Sequence, residues 1–277
     1  MITIEQTQKI LELLALERRA PSVAYLNEII FAYTRTLPWE SATRNVRRMA
    51  TADVAQCPRW PDEFWSLALA QGTAGTCFET NLALLEFLQV LGFEGYLTIN
   101  NMQAKIGCHT AIVVLLDDRK WLFDTGYPLE LVLPIDPERP TETRGKFLDY
   151  QVTPNGDGSF EITRSRHPKP YIFTLFDTPI PIDAYKRATA DDYRPEGNFN
   201  NSVVINKIVD ERMVRFSTWP EDVLFESFTA DPNGGLATRE LLDADGPLAS
   251  HLATMFGMPE PILAEALNIV RSAADSN

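Results

Sequence analysis

Cysteine and histidine are scarce: Cys57, Cys77 and Cys108, with His109, His167 and His251, are the whole supply in 277 residues. Three cysteines cannot form a complete disulfide set, which fits a reducing compartment. None of the histidines stands at a zinc-ligand spacing from a cysteine, so no metal site is predicted. Basic charge is also short, with 25 Lys and Arg against 38 Asp and Glu, a net charge of -13 and a pI near 4.7. That balance argues against nucleic acid or an anionic membrane surface as a partner, while leaving room for a local basic pocket. No apolar run approaches the roughly 18 residues that cross a bilayer. The first six residues lack the basic, apolar and small-residue order of a secretory signal, so a cytoplasmic protein is expected. There is no repeat and no low-complexity tract. What is present is 45% hydrophobic residues, enough for a sizeable core in a chain of about two ordinary domains.

The periodicity divides the chain. Through Phe93 it is helical: Ile10, Leu11, Leu13 and Leu14 share one face. Val23, Leu26, Ile29, Ile30 and Tyr33 share another after Pro21, read as a first-turn proline. Pro38 takes Leu37-Pro-Trp-Glu out of any helix interior. Pro61 can start a helix to Gln71. A loop follows, then a helix from Cys77 to about Leu91 with Phe78, Leu82, Leu85 and Leu88 as its apolar stripe and Gly92 as its stop. Beyond Gly92 the pattern is that of strands, at 95–99, 109–116 and 120–124, with a hairpin turn at Asp117-Asp118-Arg119 and further strands to about Thr174. The Pro-rich, polar span from Asp177 to Asn201 reads as a linker or a long surface loop. A hairpin centred on Asp210-Glu211 and a helical tail from Ala237 to Ala273 complete the chain.

One constellation carries chemistry. Cys77 opens a helix, where the macrodipole and unpaired N–H groups favour a thiolate and can hold an oxyanion. A free thiol, with a pKa of about 8.5, needs a base beside it, and the imidazole in turn needs an orienting carboxylate. His109 and Asp124 fall at one end of the expected hairpin and can supply both, which points to acyl transfer through a thioester. Gly72 and Gly75 would let loop backbone and substrate approach closely. Cys108, next to His109 on a strand, is expected to face the core. His167 and His251 are given no role.

Cys77-Phe-Glu-Thr-Asn, His109-Thr-Ala-Ile-Val-Val and Phe123-Asp-Thr-Gly-Tyr together resemble the motifs of the arylamine N-acetyltransferases. Tyr25-Leu26, Leu37-Pro-Trp-Glu-Ser and Phe256-Gly-Met are similar to further pieces of that family, so the likeness runs from about residue 22 to the end. It implies an α+β fold with a cysteine-proteinase-like core: a helical N-terminal domain (1–93) with the nucleophile, a central antiparallel β-barrel (94–195) with His109 and Asp124, and a C-terminal α/β lid (196–277). It also implies ping-pong transfer from acetyl-CoA or another acyl thioester, with no covalently bound cofactor, to a small arylamine, hydrazine or hydroxylamine. Trp39, Gly75, Thr76, Phe78, Gly126 and Tyr127 are the candidate substrate-binding residues beside the Cys77, His109, Asp124 triad.

The chain departs from the family pattern in four places, one being a first helix that extends further at the amino end than usual. Thr73-Ala74-Gly75 replaces Arg-Gly-Gly before the nucleophile, Ser41 stands for Asn, and Pro128 takes a small residue's place. These leave the triad whole and put donor and acceptor in question. Three readings therefore stand beside the first: an amide synthase taking a long acyl chain from a carrier protein or an activated intermediate, a hydrolase or peptidase, and a non-catalytic binding protein that keeps the fold.

Overall fold

The computed structural model describes the chain except residues 1, 128, 167–171, 219–223, 232, 234, 236, 243–245 and 275–277. Pro128 and His167 thus lie outside the described residues. Helices come first: α1 (Ile4–Leu13), α2 (Val23–Thr36), α3 (Ala42–Ala50), α4 (Pro61–Gln71) and α5 (Cys77–Val90), with the two-residue strand β1 (Trp39–Glu40) between α2 and α3. Pro61 does occupy the first turn of α4. Pro21 does not belong to α2, because Ser22 is the cap there and its hydroxyl accepts from the Tyr25 N–H at 3.1 Å. Helix α5 is buried almost all round, not along one stripe, with Glu79, Thr80 and Asn81 as deep as Leu82 and Leu84. It is the central helix, and that is why its polar residues carry internal hydrogen bonds.

The next eight strands are β2 (Glu94–Met102), β3 (Lys105–Leu116), β4 (Arg119–Phe123), β5 (Leu133–Ile135), β6 (Thr141–Arg144), β7 (Asp149–Pro154), β8 (Ser159–Ser165) and β9 (Phe173–Phe176). They form one antiparallel sheet in the order β5-β4-β3-β2-β9-β8-β7-β6. It is nearly closed into a barrel, because the edge strands β5 and β6 meet: Thr141 Oγ1 donates to the Pro134 carbonyl at 2.7 Å. Asp117 and Asp118 take left-handed φ angles of 54° and 56°, the two-residue turn whose twist matches the β3–β4 hairpin.

Between the sheets the chain is not the surface loop its composition suggests. Residues Ile182–Asp191 form α6, and Tyr185, Thr189, Tyr193 and Asn200 are buried. Prolines flank the helix without entering it, Pro181 being the N-cap and Pro195 lying past its end.

The second sheet runs β1-β10-β11-β12-β13, with β10 (Val204–Val209), β11 (Arg212–Ser217), β12 (Leu224–Thr229) and β13 (Thr238–Leu241). Its first hairpin turns at Asp210 and Glu211, both at positive φ. Strand β13 occupies the start of the expected helical tail, because Arg239 reaches back to Glu226 on β12 at 2.6 Å. The tail is helical only from α7 (Leu248–Phe256) into α8 (Glu260–Ala274). One core runs unbroken from the first helices into the barrel. A second lies between the β10–β12 sheet, α7 and α8, and takes Ala42 from α3.

Candidate active site

Three elements bring Cys77, His109 and Asp124 together. Cys77 is the first residue of α5, preceded by Thr76 as an extended N-cap. In the β3–β4 hairpin Ile112 pairs with Phe123, so Asp124 emerges one residue past β4 at the end of the hairpin where His109 lies. His109 Nε2 is 2.5 Å from Asp124 Oδ2, and both side chains are buried. The other carboxylate oxygen, Oδ1, accepts the N–H of Gly126 at 2.8 Å and of Tyr127 at 3.3 Å. With Nε2 engaged, Nδ1 is the nitrogen left to face the Cys77 thiol.

Gly126 closes the arrangement. A Cβ built there would lie 3.2 Å from His109 Cε1, 3.3 Å from Asp124 Oδ1 and 3.3 Å from Cys77 Cβ, so all three groups converge on the bare Cα of one residue. Burial by itself would lower the His109 pKa. The Asp124 charge and hydrogen bond, helped by Cys77, outweigh it and hold the imidazole well above its ordinary value. A base that keeps a proton taken from sulfur is what thiolate formation requires.

A second buried network braces the loop before Cys77. The Arg59 guanidinium binds Glu79, two residues past Cys77, through Nη2–Oε2 at 2.5 Å and Nε–Oε1 at 3.3 Å, and the Arg59 N–H adds 2.7 Å to Oε1. Tyr193, past the end of α6, donates to the same Oε1 at 2.7 Å. Burial would raise Glu79, yet the Arg59 charge and hydrogen bonds bring its pKa below the usual value. Glu40, buried nearby, goes the other way: burial raises it despite the Arg59 field and the Thr43 hydrogen bonds. A Cβ on Gly75 would fall 2.8 Å from both Arg59 Nη2 and Glu79 Oε2. A guanidinium, that of Arg59, thus lies beside the Thr73-Ala74-Gly75 loop although none is present in the loop's own sequence. The close approach that Gly75 allows is to this ion pair and not to substrate.

A cavity of about 450 Å³ opens at the triad. Of the predicted substrate-binding residues, Trp39, Gly126 and Tyr127 line it, while Gly75, Thr76 and Phe78 do not. Thr76 accepts from Arg44 Nη1 at 3.4 Å, and Phe78 packs against Tyr185. Cys108, expected to face the core, is half-buried in the cavity wall. Gly107 at φ +65° and the β2–β3 register shift between Asn100 and Met102 interrupt the alternation there. The sequence reading missed Phe199, Lys105, Arg164, Lys207 and Arg215 in that wall. No local signal marks them, because they come from one turn and four different strands. Among the described lining residues there are four Lys or Arg and no Asp or Glu, the reverse of the whole-chain balance. Among the described residues no cluster of His, Cys, Asp and Glu could hold a metal ion.

A buried Cys–His–Asp arrangement, with the cysteine opening a central helix and the other two on an adjoining antiparallel barrel, defines an acyl-transferring enzyme with a papain-like α+β fold. The N-acetyltransferase family model matches residues 22–258, and the chain belongs to the arylamine N-acetyltransferase family. Solved structures with the same fold include the arylamine N-acetyltransferase of Mycobacterium abscessus, at 16% identity and TM-score 0.74, covering 95% of each chain. That of Salmonella typhimurium shows 15% identity and TM-score 0.74, over 97% of this chain and 99% of that one. The Mycobacterium marinum enzyme, in complex with CoA, shows 14% identity and TM-score 0.74, over 95% and 99%. No curated protein sequence matches this chain. No helix among the described residues is long and apolar enough to cross a membrane.

Proposed function

We propose that this enzyme moves an acyl group, with acetyl-CoA as the donor, through Cys77 to a small arylamine, hydrazine or hydroxylamine. The observation that carries this reading is the convergence of Cys77, His109 and Asp124 on the Cα of Gly126. In the first half-reaction His109 takes the thiol proton and the sulfur attacks the thioester carbonyl. The N–H groups in the first turn of α5 hold the oxyanion. The tetrahedral intermediate then expels the donor thiolate, which leaves with the proton from His109. In the second half-reaction the amine attacks the Cys77 thioester and gives its proton to His109, and Cys77 departs as thiolate. Asp124 keeps the imidazole oriented and balances its charge in both halves. The four cationic side chains around the cavity suit a donor that carries phosphates, and the M. marinum relative is described in complex with CoA.

Intact mass after brief incubation with acetyl-CoA tests the reading, wild type beside Cys77→Ala. One added acetyl group on the wild type alone is the expected result. No adduct, while iodoacetamide still labels Cys77 rapidly, would replace acetyl-CoA with a different acyl donor. Rapid loss of the adduct in water without any amine would replace transfer by hydrolysis.

A further inference from the structure

Two of the three cysteines, Cys77 and Cys108, line the same cavity, whereas Cys57 is buried away from it. Acyl transfer uses Cys77 and gives Cys108 no part. Their elements run side by side: Asn81, one helical turn past Cys77, donates to the carbonyl of Thr110, two residues past Cys108, at 2.6 Å. One step back along both elements, Cys77 Sγ lies 4.0 Å from the Cys108 carbonyl oxygen. The Cα of residue 108 is two bonds from that oxygen, so it lies within about 6.5 Å of the Cys77 sulfur. The Cys108 thiol itself contacts the Lys105 carbonyl at 3.4 Å, a weak bond that rotation of the side chain breaks. This end of β3 has little packed over it, since Gln103 to Ile106 are exposed. Side-chain rotation and a local shift there bring the two sulfurs together.

The two thiols are chemically unequal. Cys77 has His109 at hand to take its proton. Cys108 has no such base: burial pushes its thiol up, and charge on Cys77 adds to that rise. An oxidant entering the cavity therefore meets one activated sulfur and, next to it, one that stays a thiol. This is the arrangement of a cysteine that is oxidised and a second that resolves it.

We propose that Cys108 is a modification site, the resolving cysteine that captures peroxide-oxidised Cys77 as a reversible disulfide. The proposal rests on the activated Cys77 of the acyl-transfer reading and not on its donor or acceptor. The Cys77 thiolate attacks one oxygen of hydrogen peroxide and becomes the sulfenic acid as the O–O bond breaks. Hydroxide leaves and takes the proton held by His109. The Cys108 sulfur then attacks the sulfenic sulfur, the S–S bond forms, the S–O bond breaks, and the hydroxyl departs with the Cys108 proton as water. Two thiols lose two electrons, and one peroxide becomes two waters. The disulfide stops transfer until a thiol reopens it. Without Cys108 the sulfenic acid goes on to sulfinic acid, which thiols do not reduce.

The test treats fully reduced protein briefly with a small excess of hydrogen peroxide, removes the oxidant with catalase, and reads intact mass and cysteine peptides. Acylation of Cys77 by acetyl-CoA is followed before and after dithiothreitol, each protein against its own untreated rate. Wild type should lose two hydrogens, yield one peptide joining Cys77 to Cys108, lose acylation, and regain most of it with dithiothreitol. Cys108→Ala should instead gain two oxygens on Cys77 and regain little. Should that variant not fold, Cys108→Ser, close to the native shape, decides. If wild type gives no joined peptide, or one that contains Cys57, or if the Cys108 variant regains as much as wild type, the inference is overturned. Acetylation of the untreated protein then still leaves the acyl-transfer reading standing. If untreated wild type takes no acetyl group yet forms the Cys77–Cys108 bond, the reading with acetyl-CoA fails and the inference stands, with iodoacetamide labelling of Cys77 as the measure of recovery.

Discussion

Gly126 lies so close to three side chains that even a methyl would be tight there. A methyl there must displace His109 Cε1, Asp124 Oδ1 or Cys77 Cβ by a few tenths of an ångström, and misplaced reacting groups cost rate steeply. Gly126→Ala is therefore expected to lower kcat by about 10- to 100-fold with little change in melting temperature, as steady-state kinetics beside a thermal melt would show. Arg59 makes the opposite case, a residue whose removal is felt first in stability. Arg59→Ala leaves the Glu79 carboxylate buried without its partner, and urea unfolding should register a loss of about 3–5 kcal/mol. His109 links charge to stability. Its pKa is raised in the folded protein, so the native state binds more protons than the unfolded chain above about pH 6.5, the ordinary value of an imidazole. The stabilisation is complete below that pH and declines as pH rises through the folded value. Asp124→Asn should flatten that decline, and unfolding free energies measured from pH 6 to pH 9 would show whether it does.

At the scale of elements, α6 does more than cover the surface. Tyr185 donates its hydroxyl to the Phe78 carbonyl at 2.8 Å and shares a hydrogen bond with Thr110 Oγ1 at 3.1 Å, while Asn81 Nδ2 reaches the Thr110 carbonyl at 2.6 Å. The first turn of α5 is thereby tied to β3 one residue past His109, so the helix that carries the sulfur and the strand that carries the base share a buried hinge pin. Tyr185→Phe should cost about 1 kcal/mol in chemical unfolding and slow acylation of Cys77 more than it alters the KM for the donor. The strap was readable in principle from Tyr185, Thr189 and Tyr193, which repeat at i, i+4 and i+8 on one helical face. Prolines and charges at both ends of the span hid that pattern. The hairpins were easier, because paired residues such as Asp117-Asp118 and Asp210-Glu211 announce a turn locally.

Across the whole molecule, charge is distributed against its average. A chain of net charge -13 places Lys105, Arg164, Lys207 and Arg215 around one cavity, a local positive region within a repelling surface that suits the anionic donor proposed above. The KM for an acyl-CoA donor should rise as salt is increased from 50 to 500 mM, while the KM for an uncharged amine should hold steady. Equal salt sensitivity of the two would sink the idea.

The order of chemistry along the chain was settled by the sequence: a cysteine at a helix start, a histidine and an aspartate at one end of a hairpin, and a helical first stretch followed by antiparallel strands. Each of these depends on spacings of a few residues, and local backbone geometry converts such spacings into placement without help from the rest of the fold. Only the tertiary structure decided that Arg59 supplies the guanidinium beside Gly75, that Tyr185 and Tyr193 reach under α5, and that Phe199 stands against Trp39. Those contacts join residues far apart in the chain, and which distant side chains meet is set by how helices and sheets pack. The local pattern of residues 59 and 199 records none of that packing, and the repeat of 185, 189 and 193 marks a buried face without saying what it meets.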